Sequence, residues 1–235
     1  MQISALQVQK PTPRKETFMN ATFTPRSTAW ALAAAALLLG AGCASTPPTA
    51  TQMAEVPAGI VNTYHRKSSG SLGVFDGPVP WTMSPSSWQG RPVLAYASPA
   101  GTSLHLPAHH GLVANLSPQG LPVMSYDPPI DAPWPLQVGK TWSTQHTVTM
   151  HPSGRTLVTT INGKIESWGD VTVPAGTYKA FKLVWTNDLG ETETRWVAPA
   201  DGISPIKRHV ERPASHPQGA GVLDAERLSS VKPAK

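Results

Sequence analysis

The sequence has a single cysteine, little charge and no long hydrophobic run, and each shortage excludes a class of protein. One cysteine among 235 residues rules out an internal disulfide and a zinc site built from several thiolates. Charged residues make up 14% of the chain, against roughly 25% in an average domain, so disorder driven by charge is excluded. No run of apolar residues reaches the length of about 18 that indicates a transmembrane helix.

Glycine and proline are abundant by contrast, with 19 and 25 copies. Both residues oppose the interior of a helix, so the chain cannot be mostly helical.

The first 42 residues have the pattern of a secretory signal peptide. Basic residues precede a nearly uncharged apolar run from Ala29 to Gly42, which has signal-peptide length. The run ends at Cys43, and residues 38–43, LLGAGC, resemble the lipobox of bacterial lipoproteins. This resemblance implies that residues 1–42 are removed and that Cys43 is acylated. A plain secretory signal with a chance cysteine is the alternative.

Two further features of this region bear on location. Ala44 follows the cysteine, where the family often has an aspartate in proteins retained at the inner membrane. The resemblance therefore implies an outer-membrane lipoprotein of the bacterial cell envelope that faces the periplasm. Met19 would give a more typical signal length, so residues 1–18 are interpreted as a misassigned start or a dispensable extension.

Removing the signal segment changes the charge argument. The whole chain has a formal net charge of +5, but residues 1–42 contain four basic residues against Glu16 alone, which leaves the mature chain at +2. No stretch has the density of lysine and arginine that a nucleic-acid surface needs. A nucleic-acid partner is therefore not expected.

The mature chain is expected to have two parts. Residues 43–58 are small, polar and proline-bearing, which predicts a lipidated cysteine followed by a flexible tether. Residues 59–235 are expected to form a single β-rich domain. Within residues 59–137 only Val93–Ala97 and Val123–Tyr126 are predicted as strands, because prolines and glycines punctuate the rest.

Residues 138–211 alternate apolar and polar positions with period two, which is typical of half-buried strands. The strands predicted there are 141–150, 155–168, 177–187, 191–198 and 204–211, and a turn signal follows each of the first three. Residues 222–231 are predicted as a closing strand or a short helix. Tight turns between consecutive strands indicate an antiparallel meander. The predicted fold is all-β, either a curved half-barrel or a small sandwich.

Details of side-chain direction follow from the same alternation. On the fourth of these strands Trp196 is predicted to point inward and Glu193 and Arg195 outward, because the interior is assumed to be apolar. Gly163 in the middle of a strand is predicted to mark a bulge or bend.

Three sequence blocks resemble a family of uncharacterised bacterial exported β-proteins and lipoproteins. They are PLQVGKTW at 135–142, VPAGTYKAFK at 173–182, and Trp196 to Lys207 with its WVAP, glycine and IK. The family shares PL-x-VGK-x-W, VPAGT-[FY]-x-A-[FY]-K and W-x-AP-x-x-G-x-VK patterns, and the third block is longer here. The resemblance implies an antiparallel β domain in the cell envelope, and it brings no catalytic residue or ligand.

Histidines are the main candidates for metal chemistry. His105, His109 and His110 lie within six residues, and three imidazoles could ligate zinc or copper. Pro107 interrupts any regular spacing and no carboxylate adjoins them, so we expect an exposed loop and no bound metal. His146 lies on an apolar face and is expected to be a hydrogen-bonded core residue. No cofactor motif and no catalytic signature is found.

Seven tryptophans lie in the mature chain. Trp142, Trp185 and Trp196 are expected to pack in the core. Trp81, Trp88 and Trp134 lie in proline-rich segments, and Trp168 is expected to be exposed, so these four are the candidate binding residues for a glycan, peptide or lipid.

The functional expectation is a lipid-anchored envelope protein with a non-catalytic structural or binding role. Its partners would be the membrane, through the anchor, and an envelope protein, glycan or lipid. The alternative is a carrier that holds a hydrophobic ligand in the concave face of the sheet, and an open apolar cavity would favour it. A hydrolase or metal-dependent enzyme is the third interpretation.

Overall fold

The computed structural model describes residues 46–232, without the side chains of residues 203 and 204. Twelve antiparallel strands close into one barrel, in which each strand pairs with its neighbours in sequence and β1 pairs with β12. The strands are β1 (Val61–Gly70), β2 (Phe75–Trp88), β3 (Arg91–Ser98), β4 (Gly101–His105), β5 (Leu112–Leu116), β6 (Pro122–Ile130), β7 (Thr141–Met150), β8 (Thr156–Val173), β9 (Gly176–Asn187), β10 (Thr192–Ala198), β11 (Ile203–Arg212) and β12 (Gly221–Val231).

The all-β antiparallel meander is confirmed, and the half-barrel or sandwich is corrected to a closed barrel. Strand β7 matches its prediction at both ends, and β8 to β11 match with shifts at their ends. Residues 222–231 belong to a strand rather than a helix, and this strand hydrogen-bonds to β1 over the whole of its length. That pairing removes the two sheet edges that a half-barrel would leave open.

The N-terminal half of the barrel departs most from prediction. Six strands occupy a region in which only two short ones were predicted. Strand β2 runs through Pro78, Pro80 and Pro85, and β6 contains Pro128 and Pro129. Each proline removes one ladder hydrogen bond, but the register of β2 against β1 and β3 continues past all three.

The two ends of the barrel are built differently. Because consecutive strands are antiparallel, turns alternate between the ends. The end that we call the filled end carries residues 46–60 and the five connections 89–90, 106–111, 131–140, 174–175 and 199–202. The end that we call the mouth carries the connections 71–74, 99–100, 117–121, 151–155, 188–191 and 213–220.

A hydrophobic core occupies the filled end. Met53 from the N-terminal segment and Leu136 from the 131–140 connection pack with strand residues Ile165, Phe181 and Val197, and each of these five is at most 6% exposed. A second cluster there joins Ile60, Met83 and Tyr96. The strands alone could not fill so wide a barrel, so the extra chain supplies the missing volume.

The tip of the β8–β9 hairpin also contributes to the filled end. Its backbone reaches β12, where the amide of Ala175 donates to the carbonyl of Arg227 at 3.0 Å. The Arg227 side chain is fully buried, donates to Asp201 at 2.7 Å and lies over the rings of Tyr64 and Tyr178. Buried charges need such partners, so Arg227 ties the hairpin tip to β1 and to the β10–β11 connection.

Part of the segment predicted as a flexible tether contacts the barrel. Ala50 forms an antiparallel bridge with Leu136, and the amide of Ala54 donates to the carbonyl of Pro199 at 2.8 Å. The segment therefore contacts the barrel from Ala50 onward, and it buries Met53 there, although several of its other residues stay exposed. Cys43 and the signal segment lie outside the described residues.

The three sequence blocks that resemble exported β-proteins all lie at the filled end or lead into it. The first supplies Leu136 and the second supplies Phe181. In the third, Gly202 has φ of +69°, and a Cβ there would lie 2.3 Å from the carbonyl oxygen of Ala54. These residues have structural roles.

Gly163 does not mark a bulge. Its cross-strand partners are Trp142 on β7 and Trp185 on β9, and a Cβ on Gly163 would lie 2.2 Å from the Trp142 ring. The absence of a side chain at Gly163 therefore makes room for the indole of Trp142.

No helix within residues 46–232 has both the length and the apolar character that crossing a membrane requires.

Candidate binding cavity

The barrel encloses a cavity of about 870 Å³ next to the filled end. Its lining includes the mouth residues Ala100, Leu189 and Pro217. Among the described residues, none from the connections of the filled end lines it. The cavity is therefore a cup with its floor near the middle of the barrel. Barrels of this strand number are wide enough to hold a ligand once the side chains have filled only part of the interior.

One side of the cup is apolar. We use the name apolar wall for the apolar and aromatic side chains that β2 to β8 contribute to the lining, which are chiefly Val79, Trp81, Tyr96, Leu112, Met124, Tyr126, Ile130, Val148, Met150, Leu157 and Ile161. The same strands add the polar residues Ser98, Ser103, His105, Asn115 and Thr159 to the lining. At the floor, the Trp81 ring makes edge contacts with Tyr64 and Tyr96, with ring centroids 6.1 and 6.5 Å apart. These edge-on aromatic pairs give the floor a fixed shape.

The other side of the cup is charged. We use the name charged wall for the charged lining residues of β1, β10, β11 and the turn before β10. They are Arg66, Glu191, Glu193, Arg195, Arg208 and Arg212.

Glu193 lies at the centre of the charged wall. Arg208 donates to its two carboxylate oxygens at 2.8 and 3.0 Å, and Arg195 also donates to it. Burial opposes its ionisation, but the two guanidiniums prevail and lower the pKa of Glu193 to about 2. Glu193 is therefore an anion at any physiological pH.

A hydrogen-bonded chain crosses the floor beside Tyr96. The imidazole of His105 donates from Nδ1 to the carbonyl of His110 at 2.7 Å, so its Nε2 accepts from the Ser103 hydroxyl at 2.9 Å. His110 is paired with the Tyr96 hydroxyl at 3.1 Å. Burial lowers the pKa of His105 to about 3 and that of His110 to about 4. An imidazole of such low basicity is a poor general base near neutral pH.

A separate gap of about 30 Å³ lies below the floor, with room for about one water. Asp131 lines it, and burial raises the pKa of this carboxyl to about 7. His109 lies 3.7 Å from Asp131 and stacks on the Trp134 ring at 4.9 Å. This gap is too small for a ligand.

The three histidines proposed as metal candidates do not converge on one point. His105 and His110 belong to the floor chain, whereas His109 faces Asp131 and Trp134. The predicted exposed loop is therefore wrong for His105 and His110, of which the latter is 8% exposed. Within residues 46–232 no group of three or more histidine, cysteine or acidic residues could hold a metal ion.

Of the four tryptophans proposed as binding residues, Trp81 alone lines the cavity. Trp88 packs on a small cluster on the opposite face of β3 to β5. Trp134 and Trp168 pack on the filled-end core, and Trp168 lies 4.5 Å from the Phe181 ring rather than being exposed. Trp185 packs against the filled-end core, as predicted from the sequence, and it also lines the cavity. His146 is buried and donates to the carbonyl of Pro128 at 2.8 Å, as expected.

Sequence reasoning missed the charged wall and reversed the direction of β10. Glu193 and Arg195 line the cavity, whereas Trp196 lies on the opposite face beside Lys207, 5.6 Å from the ring. A signal was present: Glu193 and Arg208 occupy neighbouring strands as opposite charges, with Arg195 two residues along. Opposite charges on adjacent strands stabilise each other on either face of a sheet.

Comparisons with known proteins add little to this geometry. No protein-family model and no curated protein matches the chain. A solved structure from Bacteroides fragilis NCTC 9343, described as a protein assigned as exported with a YmcC-like fold, superposes with a TM-score of 0.44 at 10% identity. The match covers 77% of this chain and 100% of that chain. A similarity of this size assigns neither a ligand nor an activity.

Proposed function

We propose that this chain is an envelope lipoprotein, anchored through Cys43, that binds a hydrophobic ligand in its barrel and carries it. The observation that supports binding is the cavity of about 870 Å³ with its apolar wall. Ligand pockets typically measure about 300–1,000 Å³ and combine apolar walls with a few polar groups. A purely structural envelope protein would gain stability by filling this space.

The proposal is one of binding rather than catalysis. Among the residues that line the cavity, Ser103 and His105 most resemble a catalytic nucleophile and its general base, because they share a hydrogen bond. Burial, however, lowers the pKa of His105 to about 3. A base needs a pKa near the working pH to take a proton from serine efficiently. The pair fits a structural hydrogen bond in the floor.

The end of the barrel at which the N-terminal segment attaches supports a carrier role. The N-terminal segment reaches the barrel at the filled end, through the bridge from Ala50 to Leu136. An acylated Cys43 would hold that end toward the membrane and leave the mouth free. Exposed aliphatic side chains occur on mouth turns, with Val74 91% and Leu121 66% exposed. These turns would meet an incoming apolar ligand first.

The binding proposal is tested with N-phenyl-1-naphthylamine, a neutral dye that fluoresces in apolar surroundings. We expect the Cys43→Ala chain, which needs no detergent, to bind it. Val79→Trp places an indole in the cup and should weaken binding about tenfold, or 1.4 kcal/mol. Thr82→Trp adds the same side chain at an exposed position of β2 and should leave affinity unchanged. No dye binding by the parent chain would overturn the proposal.

The anchor is tested by metabolic labelling with a palmitate analogue. Wild type should be labelled and found with membranes, whereas Cys43→Ala should be unlabelled and released, because each buried methylene of an acyl chain contributes about 0.8 kcal/mol. Equal labelling of the two proteins would show that Cys43 is not the acylated residue.

A further inference from the structure

We propose that the ligand is an amphiphile whose anionic head group, a carboxylate or a phosphate ester, binds between Arg66 and Arg208 while its apolar tail lies along the apolar wall. This inference rests on the proposed binding function and specifies the chemistry of the ligand. It is argued from the charge of the wall, from the strand register around Arg66 and from the position of the apolar wall.

The charged wall has more cations than anions. Four guanidiniums face the cavity, with two carboxylates among them, Glu191 and Glu193. Glu193 is shared by Arg195 and Arg208, and Glu191 pairs with Arg212. Asp188, a third carboxylate, lies at the rim and accepts from the Thr159 hydroxyl at 2.6 Å and the Thr160 amide at 3.0 Å. Even with Asp188 counted, positive charge is in excess.

The excess is located at Arg66. Its Nη2 donates to the carbonyl of Leu72 at 3.0 Å, and its buried Nε has no hydrogen-bond partner. Among the ion pairs of residues 46–232, none includes Arg66. Burial lowers the pKa of Arg66, and the nearby charge of Arg208 lowers it further. A guanidinium in this setting gains more from an anion than one that already has a carboxylate.

The strand register leaves space beside this guanidinium. Ala225 on β12 is the cross-strand partner of both Arg66 on β1 and Arg208 on β11. With strands about 4.8 Å apart, the two arginines flank a single methyl group. On the other side of Arg66 the partner is Gly77, and the Phe75 ring lies within 4 Å of the point that a Gly77 Cβ would occupy, with the Arg66 Cζ 5.9 Å from the ring centroid. The residue that leaves space beside Arg66 is therefore Ala225, on the side toward Arg208.

Arg208 is accessible from the same space. Its side chain keeps 31% of its surface exposed although it is bound to Glu193, and this surface faces the cavity that it lines. A guanidinium has five N–H donors, and Glu193 takes two from Arg208. The rest can donate to an anion held with Arg66, so the slot supplies the two-sided contact that carboxylates and phosphates prefer.

The apolar wall then decides what the rest of the ligand is. It is contributed by β2 to β8, and the charged wall by β1, β10 and β11, so an anion at Arg66 has aliphatic and aromatic side chains across the cup. A small inorganic anion would leave that surface wet, whereas a neutral lipid would leave Arg66 without a counter-charge. An amphiphile satisfies both walls at once.

The test compares two dyes with one skeleton. The neutral N-phenyl-1-naphthylamine reports on the apolar wall, and 8-anilinonaphthalene-1-sulfonate adds an anionic group. We expect the Cys43→Ala chain to prefer the sulfonate. Arg66→Gln should weaken sulfonate binding roughly tenfold to hundredfold, the range for a charge-assisted hydrogen bond, with the neutral dye within about twofold. Lys67→Gln removes a charge from the next, exposed residue of β1 and should change neither affinity.

A second variant acts without changing charge. Ala225→Leu fills the slot between Arg66 and Arg208 and should produce the same selective loss for the sulfonate. Melting curves identify any variant that has unfolded. If both dyes bind but neither variant alters their ratio, the head-group site is wrong and the binding function stands. If neither dye binds the parent chain, both proposals fail.

Displacement of the bound sulfonate dye identifies the head group without any variant of the wall. Palmitate and 1-palmitoyl lysophosphatidate should displace the dye at lower concentration than monopalmitin, which has a similar tail and no charge. The more effective of the two anions distinguishes a carboxylate from a phosphate ester. Equal displacement by all three would overturn the inference.

Discussion

The two ends of this barrel are made from the same twelve strands and differ in what fills them. At the filled end, side chains from the N-terminal segment, the 131–140 connection and the strands pack into one core. Toward the mouth, a cavity of about 870 Å³ separates an apolar wall from a charged wall. Stability need not be uniform across a structure. The packed core at the filled end can therefore stabilise the fold while the other end keeps an open cavity for a ligand. The following predictions test this division of roles.

The largest difference in unfolding free energy is expected between two leucine-to-alanine substitutions, one at each end of the barrel. Leu183→Ala removes a side chain that is 3% exposed in the filled-end core and should cost about 2–5 kcal/mol of unfolding free energy, because it opens a void. Leu157→Ala removes the same atoms from the cavity wall, where space already exists, and should cost about 1 kcal/mol or less. Urea denaturation of both variants measures the difference. Equal losses would show that the cup is as tightly packed as the filled end.

A second pair of variants compares two glycines of similar backbone conformation. Gly202 at the filled end has φ of +69° and lies against Ala54 and Val56, whereas Gly120 at the mouth has φ of +77° and no atom within 4 Å of the point that a Cβ would occupy. Gly120→Ala should therefore cost about 1 kcal/mol for the left-handed conformation alone.

Gly202→Ala carries the same conformational cost and must also displace the N-terminal segment, so its total should reach about 2–3 kcal/mol. Limited proteolysis provides an independent measurement, since the segment around Met53 should become cleavable in Gly202→Ala and stay protected in Gly120→Ala. Protection in both variants would mean that this segment does not depend on the close contact at Gly202.

The smallest expected effect is the change of stability with pH. It compares the two histidines at the floor of the cavity with Asp131 in the gap below the floor. His105 and His110 have pKa values lowered to about 3 and 4, so below about pH 6.5 the unfolded chain takes up two protons that the folded chain refuses. Asp131, with its pKa raised to about 7, holds one proton in the folded chain that the unfolded chain has lost above about pH 4.

The net difference of one proton predicts that stability falls by at most about 1.4 kcal/mol for each pH unit as the pH is lowered from about 6 to 5. This window lies above the range in which Glu193, whose pKa is lowered to about 2 in the folded chain, takes up a proton in the unfolded chain. In the double variant His105→Gln, His110→Gln the contribution of Asp131 dominates there, and the slope should change sign, so that acidification stabilises the fold. Urea midpoints at several pH values decide this. A slope that the double variant leaves unchanged would show that these histidines titrate normally.

The C-terminal half of the fold could be predicted because its information is local. Strands β7 to β11 combine period-two alternation with turn residues such as Gly154 and Gly190, which both have positive φ. The strands of the N-terminal half could not be predicted in this way, because the local sequence around prolines such as Pro78 and Pro80 argues against a strand. In the barrel, the neighbours β1 and β3 hold β2 in register, a constraint that is absent from the local sequence.

The cavity was harder to predict than the fold for a different physical reason. Assigning faces to β10 relied on the rule that apolar side chains point inward, and it placed Trp196 inside and Glu193 outside. That rule assumes a dry, filled interior. Where the interior is a cup open to water, Glu193 and Arg195 can face it, provided that Arg208 completes the pairing. The sequence carried the opposite charges but not the information that the space between the walls is open.

The seam between β1 and β12 has a consequence for how the barrel assembles. Eleven of the strand pairs join neighbours in sequence, whereas the seam brings Val61 opposite Val231. Hairpins can form early because their loops are short, but the seam must first overcome the entropy of closing a loop that contains nearly the whole domain. Until it does, both strands present unpaired edges that can hydrogen-bond to other chains. The late, vulnerable step of folding is thus the joining of the first strand to the last.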